Sequence, residues 1–233
     1  MTVRLTRVFA SMLFLALAPA VAGAQQWVEG KHYSLIRPAQ RTNVAPGKIE
    51  VAEAFSYGCV ACDQFRAFEP ELKLRAGPDA QLVYVPASFN SAESWPLFQR
   101  AYLTAKALGI ADRTHTAMYD AIWKKGELAV VDQRSGKIKS PQPTMEQVAA
   151  FYERTAGVPR QKFIDATKSF TTEASIKRAE QWLRACQVDS TPTFIVNGKY
   201  RVNTRSTGGL SQLFDVIEFL VKKEKAAAST AAR

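Results

Sequence analysis

Two cysteines three residues apart, Cys59 and Cys62, have the type and spacing most suited to chemistry in this sequence. Residues 49–55 (IEVAEAF) predict a strand, and the turn at 56–58 leads into a helix that begins at about Cys59. On a helical turn this spacing brings the two thiols close enough to form a disulfide. The unpaired N–H groups and partial positive charge at a helix N-terminus favour the thiolate of Cys59, which is the reactive form. We therefore predict that Cys59 attacks and that Cys62, one turn further and less exposed, resolves.

Two other kinds of site also use a Cys-x-x-Cys pair. The pair could be half of a zinc site, but zinc needs two further ligands, and Cys186, His32 and His115 are not paired at metal-ligand spacing. It could also be an inert structural disulfide, although a strand, a Cys-x-x-Cys pair and a helix in this order are typical of a redox pair. We expect redox chemistry with no metal and no organic cofactor.

The start of the chain has the pattern of a secretory signal peptide over residues 1–24. Arg4 and Arg7 form a short basic start, an apolar run of eleven residues follows over 8–18, and small residues precede a cleavage site after Ala24. The alternative, a membrane anchor, would need an apolar run of about 20 residues. We therefore expect export to the periplasm, with the fold beginning at residue 25.

The composition is that of an ordinary globular protein with a basic surface. The 233 residues are 47% hydrophobic and 22% charged, and the net charge of +10 becomes +8 when Arg4 and Arg7 leave with the signal peptide. A strongly basic protein can bind nucleic acid, but here the basic residues are scattered along the chain, and an exported protein rarely meets DNA. We expect a solvated surface that favours anionic partners and membrane surfaces, and no nucleic-acid binding.

The rest of the chain continues in a strand-and-helix order. The first helix is predicted to end at about Arg75, and a second strand follows at 82–85. A block of five helices is predicted next. The first runs from Trp95 to Gly109, and the second is capped by Asp112. A Thr144–Gln147 capping box starts the third, Pro159 lies in the first turn of the fourth, and the fifth runs from about Glu173 to Cys186. A hairpin at 193–202 turns at Asn197–Gly198, and a final helix starts near Leu210. This order predicts an α/β fold with a mixed sheet.

The third cysteine, Cys186, falls on the apolar helical stripe Ile176, Ala179 and Leu183. A buried thiol acts as a small apolar filler. We therefore expect a structural role for Cys186, and the alternative is a third redox residue.

Two separated segments resemble the DsbA-like periplasmic thiol-disulfide oxidoreductases of the thioredoxin superfamily. The segment 53–62 (EAFSYGCVAC), with Phe65 after it, is similar to that family's active-site segment. The segment 190–200 (STPTFIVNGKY) is similar to its proline loop and hairpin, and 30–33 (GKHY) to its mature start. The two main motifs lie about 130 residues apart, and together they are far more specific than Cys-x-x-Cys alone.

The resemblance implies a thioredoxin fold with a mixed β-sheet and an inserted helical domain. The thioredoxin-like domain would be discontinuous, formed by residues 25–94 and 170–225. The helical insertion domain would span 95–169, and a flexible tail would follow at 226–233.

The resemblance also implies roles for three residues besides the cysteines. Pro192 would follow a cis peptide bond and face the cysteine pair, and Thr191 would present its backbone to an extended client chain. Glu53 matches a buried acid that manages the proton of the resolving cysteine, and its alternation with Ile49 and Val51 is consistent with an inward position. The alternatives are a trans proline at the start of a strand and a surface glutamate at a strand end.

The sequence departs from the family between the two cysteines. DsbA-like oxidases have proline and histidine there, whereas this chain has Val60 and Ala61. Neither side chain can support a thiolate by charge or by hydrogen bonding. We therefore predict a disulfide that is less oxidising than in Pro-His relatives.

The resemblance implies a monomeric enzyme that transfers the Cys59–Cys62 disulfide to reduced or unfolded exported proteins through a mixed disulfide at Cys59. A quinone-linked membrane partner similar to DsbB would reoxidise the pair. Two alternatives stay open: a periplasmic disulfide reductase or isomerase, and a metal-binding or client-binding protein whose cysteines are ligands.

Overall fold

A computed structural model describes residues 27–231. The predicted signal peptide at 1–24 lies outside these residues. None of the helices within 27–231 combines the length and the apolar character that a bilayer crossing requires.

The centre of the structure is a five-stranded mixed sheet, as predicted. Its strands are β1 (Ser34–Leu35), β2 (Ile49–Phe55), β3 (Ala80–Pro86), β4 (Thr193–Val196) and β5 (Tyr200–Val202), in the order β1-β5-β4-β2-β3. The β2 and β3 strands are parallel, and the other neighbours are antiparallel. The α/β prediction with a mixed sheet is therefore confirmed.

The central strand β2 carries the chain to the cysteine pair. All seven of its residues are buried, because β3 and β4 flank it and helices cover both faces of the sheet. The alternation along the sequence predicts one face for Ile49, Val51 and Phe55. This prediction is wrong at the strand end, because Ile49 and Val51 lie in one hydrophobic cluster and Phe55 lies in the other. The residue after the strand is Ser56, only three positions before Cys59.

The hairpin prediction is confirmed in detail. Asn197 and Gly198 connect β4 to β5 with φ of 50° and 66°. The Lys199 N–H donates to the Val196 carbonyl oxygen at 3.0 Å. Two successive positive φ angles define the type I′ turn that fits the twist of paired strands. This short loop fixes the register that brings the start of β4, and Pro192 before it, beside the end of β2.

Helices cover both faces of the sheet. Within residues 27–231 they are α1 (Val60–Phe65), α2 (Glu69–Ala76), α3 (Trp95–Ala107), α4 (Ala111–Tyr119), α5 (Met145–Ala156), α6 (Arg160–Thr167), α7 (Phe170–Ala185), α8 (Thr204–Thr207) and α9 (Leu210–Ala231). A π-helical turn, Asp120–Lys124, extends α4, and short 3₁₀ turns lie at Arg66–Phe68 and Ser91–Glu93.

Several predicted helix boundaries are wrong, and proline accounts for the main one. The helix expected from Cys59 to Arg75 is broken into α1 and α2 by a 3₁₀ turn before Pro70. Proline has no N–H for the carbonyl one turn earlier, and its ring collides with that turn. The predicted Asp112 cap is also wrong, since Ile110 holds the cap position and Asp112 lies inside the first turn.

Other helix ends also differ from the predictions. Pro159 is the cap of α6 rather than part of its first turn. The α7 helix begins at Phe170, because the Ser169 hydroxyl caps it and accepts from the Thr172 N–H at 3.2 Å. The capping box of Thr144 and Gln147 is confirmed. The α9 helix runs to Ala231, so most of the predicted flexible tail has a helical backbone.

Two hydrophobic clusters form the core. One contains β2, β4 and β5 residues with the apolar faces of α1, α2 and α9. The other joins the opposite face of the sheet to the helices of residues 95–185. The inserted helices therefore share a core with the sheet, and the boundaries drawn for a separate helical domain remain a prediction.

Candidate active site

Cys59 is the N-cap residue of α1, and Cys62 lies one turn inside the helix. The Cys62 N–H donates to the Cys59 Sγ at 3.4 Å, so the sulfur occupies the position of a helix-capping acceptor. Cys59 is 7% exposed and Cys62 is 1% exposed, and both are free thiols in this structure. Cys59 is therefore the sulfur of the pair that an external thiol reaches more readily.

The loop before β4 brings Thr191 and Pro192 to the cysteine pair, as the resemblance implied. The Thr191–Pro192 peptide bond is cis. The Cys59 thiol donates to the Thr191 carbonyl oxygen at 3.6 Å. The Thr191 hydroxyl is buried and, within the described chain, has no hydrogen-bond partner. It is thus free to donate to a thiolate on Cys59.

The pKa values of the two cysteines are shifted in opposite directions. The pKa of Cys59 is lowered to about 6, chiefly by a hydrogen bond from the Cys62 thiol and further by the Thr191 hydroxyl and the backbone N–H groups of Cys62 and Ala61; burial opposes this shift. Burial raises the pKa of Cys62 well above its ordinary value, and the neighbouring Cys59 adds to the effect. At neutral pH the pair therefore holds one thiolate, on Cys59, and one thiol, on Cys62.

Glu53 lies in β2 beneath the pair and is 2% exposed, so the expected inward position is confirmed. Burial raises the pKa of its carboxyl well above the usual range, and nearby Glu69 and Cys59 raise it further. One carboxyl oxygen, Oε2, has no hydrogen-bond partner among residues 27–231. The raised pKa of Cys62 also includes a contribution from Glu53. A carboxyl group in this setting holds its proton more readily than an exposed one, so it can donate or accept a proton at the cysteine pair.

A group of side chains that the sequence did not predict holds the segment before Cys59. The Tyr57 hydroxyl and the His115 Nδ1 are 2.9 Å apart, and the Trp123 Nε1 donates to the Tyr57 carbonyl oxygen at 2.8 Å. Tyr119 lies between them and donates to the Ser56 carbonyl oxygen at 3.5 Å. We call His115, Tyr119 and Trp123 the α4 clamp. Its members contact the two residues that precede Gly58 and Cys59.

The α4 clamp is also tied to α1. Arg66 bonds Asp63 of α1 at 2.8 Å and Asp120 of the π-helical turn at 2.6 Å. The guanidinium lies over the Tyr119 ring, 5.5 Å from its centroid. The four-residue spacing of His115, Tyr119 and Trp123 is a sequence signal for side chains on one helical face.

Cys186 lies apart from the site and is fully buried at the end of α7. Burial raises the pKa of its thiol to about 12. Among residues 27–231, no three His, Cys, Asp or Glu side chains are grouped to hold a metal ion. The structure thus brings Cys59, Cys62, Glu53, Thr191 and Pro192 together and leaves Cys186 outside.

Comparisons with known proteins all point to one family. A family model described as Thioredoxin matches residues 45–215. A thiol:disulfide interchange protein DsbA from Azotobacter vinelandii is 34% identical over 185 residues, or 78% of each chain. The protein of the same name from Pseudomonas aeruginosa is 32% identical over 228 residues, which cover 95% of this chain and 97% of the relative.

Solved structures agree with these sequence matches. The oxidoreductase DsbA from Xylella fastidiosa has a TM-score of 0.73 and 31% identity, covering 85% of this chain and 98% of that chain. DsbA from Pseudomonas aeruginosa has a TM-score of 0.70 and 30% identity, and the match covers 87% of this chain and 97% of that chain. The predicted thioredoxin fold is therefore confirmed. The chain belongs to the DsbA family of thiol:disulfide oxidoreductases.

Proposed function

We propose that this protein donates the disulfide of Cys59 and Cys62 to thiol pairs of reduced or unfolded exported proteins in the periplasm. The observation that carries the proposal is the position of Cys59 as the cap of α1, beside the Thr191 carbonyl and with Cys62 buried one turn inside the helix. This setting lowers the pKa of Cys59 to about 6 and raises the pKa of Cys62. A low-pKa thiolate is a good leaving group and stabilises the reduced pair, which makes the corresponding disulfide an oxidant.

The proposed reaction has two exchange steps. A client thiolate attacks the Cys59 sulfur, the Cys59–Cys62 bond breaks, and Cys62 leaves as a thiolate that takes up a proton. The second client thiolate then attacks the client sulfur of the mixed disulfide, and Cys59 leaves as a thiolate. Two electrons pass from the client dithiol to the cysteine pair, so the client gains one disulfide and the protein gains two reduced cysteines.

Three neighbours support these steps. We propose that Glu53 exchanges the proton of Cys62, because its buried carboxyl has a raised pKa and an oxygen without a hydrogen-bond partner among the described residues. Thr191 stabilises the Cys59 thiolate through its hydroxyl. The Thr191–Pro192 backbone, next to Cys59, lies where an extended client segment can pair with it.

Reoxidation would complete the cycle. A membrane-bound, quinone-linked partner similar to DsbB would accept the two electrons from the reduced pair. The proposed site of action is the periplasm, which follows from the signal-peptide pattern at 1–24 and from membership of the DsbA family.

A second function, as a disulfide reductase or isomerase, is favoured by one observation. Val60 and Ala61 provide no side-chain donor or charge for the Cys59 thiolate. A weaker stabilisation of the reduced pair would make it a better reductant. The lowered pKa of Cys59 supports the disulfide donor as the first candidate.

Trapping of mixed disulfides tests the proposal. With Cys62→Ala, the Cys59 thiolate can still attack the disulfide of an oxidised client, and the mixed disulfide should accumulate until reductant releases it, because the resolving thiol is absent. Cys59→Ser should abolish exchange, whereas Cys186→Ala, a matched removal of the third thiol, should leave both behaviours intact. A Cys59→Ser protein that oxidises a reduced client at the normal rate would contradict the assignment of the attacking sulfur.

A further inference from the structure

A groove of about 510 Å³ opens where α1 meets the π-helical turn. Val60, Trp123 and Val131 provide its apolar lining, and Asp63, Glu93 and Asp132 provide carboxylates. We call it the α1 groove. Val60, the residue after the reactive cysteine, is 51% exposed.

Both walls of the α1 groove contact the loop that holds Cys59. On one side, Trp123 donates to the Tyr57 carbonyl oxygen at 2.8 Å. On the other side, the segment with Glu93 packs so closely on Gly58 that a Cβ there would lie 2.8 Å from the Glu93 carbonyl oxygen. A client joined to the Cys59 sulfur therefore has its neighbouring residues at the mouth of this groove.

The charge of the α1 groove is opposite to that of the whole chain. The lining contains three carboxylates and no Lys or Arg, whereas the chain has a net charge of +10. Arg66 neutralises Asp63 at 2.8 Å. Glu93 and Asp132 form no ion pair with any residue of the described range.

The two unpaired carboxylates are held in place by neutral donors. Glu93 accepts from the Trp95 Nε1 at 3.2 Å. Asp132 accepts from the backbone N–H groups of Arg134 and Ser135 at 3.1 and 2.8 Å, and from the Ser135 hydroxyl. Lys139 adds only a longer-range attraction to Asp132. Each carboxylate is thus oriented but keeps most of its negative charge for a ligand.

We infer that the α1 groove binds client segments that carry Lys or Arg next to the reactive cysteine. This inference rests on the proposed disulfide donation and adds a substrate preference to it. The aliphatic stem of Lys or Arg can pack on Val60 and Val131, and its charge can meet the Trp123 ring and the two free carboxylates. The α1 groove thus combines an apolar floor with a negatively charged rim, and an anionic client segment would not complement that charge.

Oxidation of two matched peptides by the oxidised protein tests the preference. Each peptide has one pair of cysteines, and the two differ only in the flanking residues, which are Arg in one and Glu in the other. The overall positive charge of the protein favours the Glu peptide through long-range attraction. The α1 groove favours the Arg peptide, so the sign of the difference in kcat/KM separates the two effects.

The expected result is that wild type oxidises the Arg peptide several-fold faster than the Glu peptide. Glu93→Gln and Asp132→Asn keep the hydrogen-bond acceptors and remove the charges, and each should reduce the Arg-to-Glu ratio by roughly two- to five-fold, typical of exposed ion pairs. Glu71→Gln removes a charge from an exposed position in α2 outside the groove, and the ratio should not change. Added salt should shrink the wild-type ratio, since both carboxylates are near solvent.

The inference fails if wild type oxidises both peptides equally or prefers the Glu peptide. It also fails if the double variant Glu93→Gln/Asp132→Asn, shown by circular dichroism to be folded, keeps the wild-type ratio. Reduction of the oxidised wild type by dithiothreitol is the separate test of the chemistry. A wild-type disulfide that neither peptide nor dithiothreitol reduces would overturn the proposed function and this preference with it.

Discussion

The reactivity of Cys59 follows from its position as a helix cap. The backbone N–H groups that open α1 have no partner within the helix, and the Cys59 sulfur lies where they point. The Cys62 thiol and the Thr191 hydroxyl add two more donors. A thiolate that accepts several hydrogen bonds forms at a lower pH than a free thiol does.

Alkylation of the reduced protein should show this thiolate directly. The rate at Cys59 should rise with pH around a midpoint of about 6, because only the thiolate reacts. Thr191→Val removes one donor and should raise the midpoint by up to about one pKa unit, worth about 1.4 kcal/mol. Because the pKa of Cys59 is lower in the folded than in the unfolded protein, the thiolate stabilises the folded, reduced protein at pH values above the pKa of an unfolded cysteine. This stabilisation is lost as the pH falls through about 6. A wild-type midpoint near that of free cysteine, about 8.5, would contradict the argument.

A histidine between the cysteines should make the disulfide more oxidising. Ala61 is exposed, so Ala61→His can place an imidazole near the Cys59 sulfur without disturbing the core. Each unit by which the Cys59 pKa falls is worth about 1.4 kcal/mol, or roughly 30 mV in a two-electron potential. Equilibration with glutathione buffers should therefore give a potential higher by some tens of millivolts, in proportion to the measured pKa change. An unchanged pKa and potential would show that the backbone N–H groups and Thr191 already stabilise the Cys59 thiolate as far as hydrogen bonding allows.

Cys186 should behave as a core residue. It is fully buried, and burial raises its thiol pKa to about 12, so alkylating reagents should label it only after unfolding. Cys186→Ala should keep disulfide exchange and lower the free energy of unfolding by about 1–2 kcal/mol. Mass spectrometry of labelled native protein measures the reactivity of Cys186, and denaturant titration measures the change in the free energy of unfolding. Rapid native labelling of Cys186 would exclude a purely structural role.

At the scale of elements, the inserted helices support the active-site loop. The α4 clamp presents three side chains from one helical face to Ser56 and Tyr57, at the end of the central strand. The π-helical turn Asp120–Lys124 carries Trp123, and such turns are frequent at functional sites. The inserted helices thus do more than cover the sheet, because they hold Ser56 and Tyr57, the two residues that lead into Gly58 and Cys59.

His115 should make the protein sensitive to acid. Burial lowers the pKa of His115 to about 3, against about 6.5 in an unfolded chain. Between these values the unfolded chain binds a proton that the folded protein does not, so the free energy of unfolding falls as pH decreases from about 6.5 to about 3. His115→Gln should lower the stability at neutral pH by about 1–2 kcal/mol and weaken this pH dependence. Denaturant titrations of both proteins at neutral and acidic pH measure the difference, and parallel pH profiles would rule out His115 as the cause.

At the scale of the whole molecule, the sequence predicted those features that depend on local pattern. The strand before Cys59, the Asn197–Gly198 turn and the Thr144 capping box each follow from a few neighbouring residues, and all three are confirmed. The break in the first helix is also a local signal, since Pro70 lies in the middle of the helix predicted from Cys59 to Arg75.

The features that were missed depend on contacts between distant segments. Tyr57 and His115 are 58 residues apart, and no local pattern pairs them. The α1 groove combines residues of α1, the 3₁₀ turn and the loop after the π-helical turn, so its charge is visible only in the folded chain. The family resemblance implied that Glu53 is buried, and the alternation of β2 was only consistent with it. The burial of the whole strand comes from its central place in the sheet.

The redox state of the Cys59–Cys62 pair in intact cells tests the central claim most directly. Rapid acid quenching, followed by labelling of free thiols with a mass-tagged reagent, distinguishes the disulfide from the dithiol, and Cys186→Ala removes the background of the third thiol. A disulfide donor that is continually reoxidised should be trapped mainly as the Cys59–Cys62 disulfide. A pair trapped mainly as two free thiols would contradict disulfide donation and identify a reductase or isomerase instead.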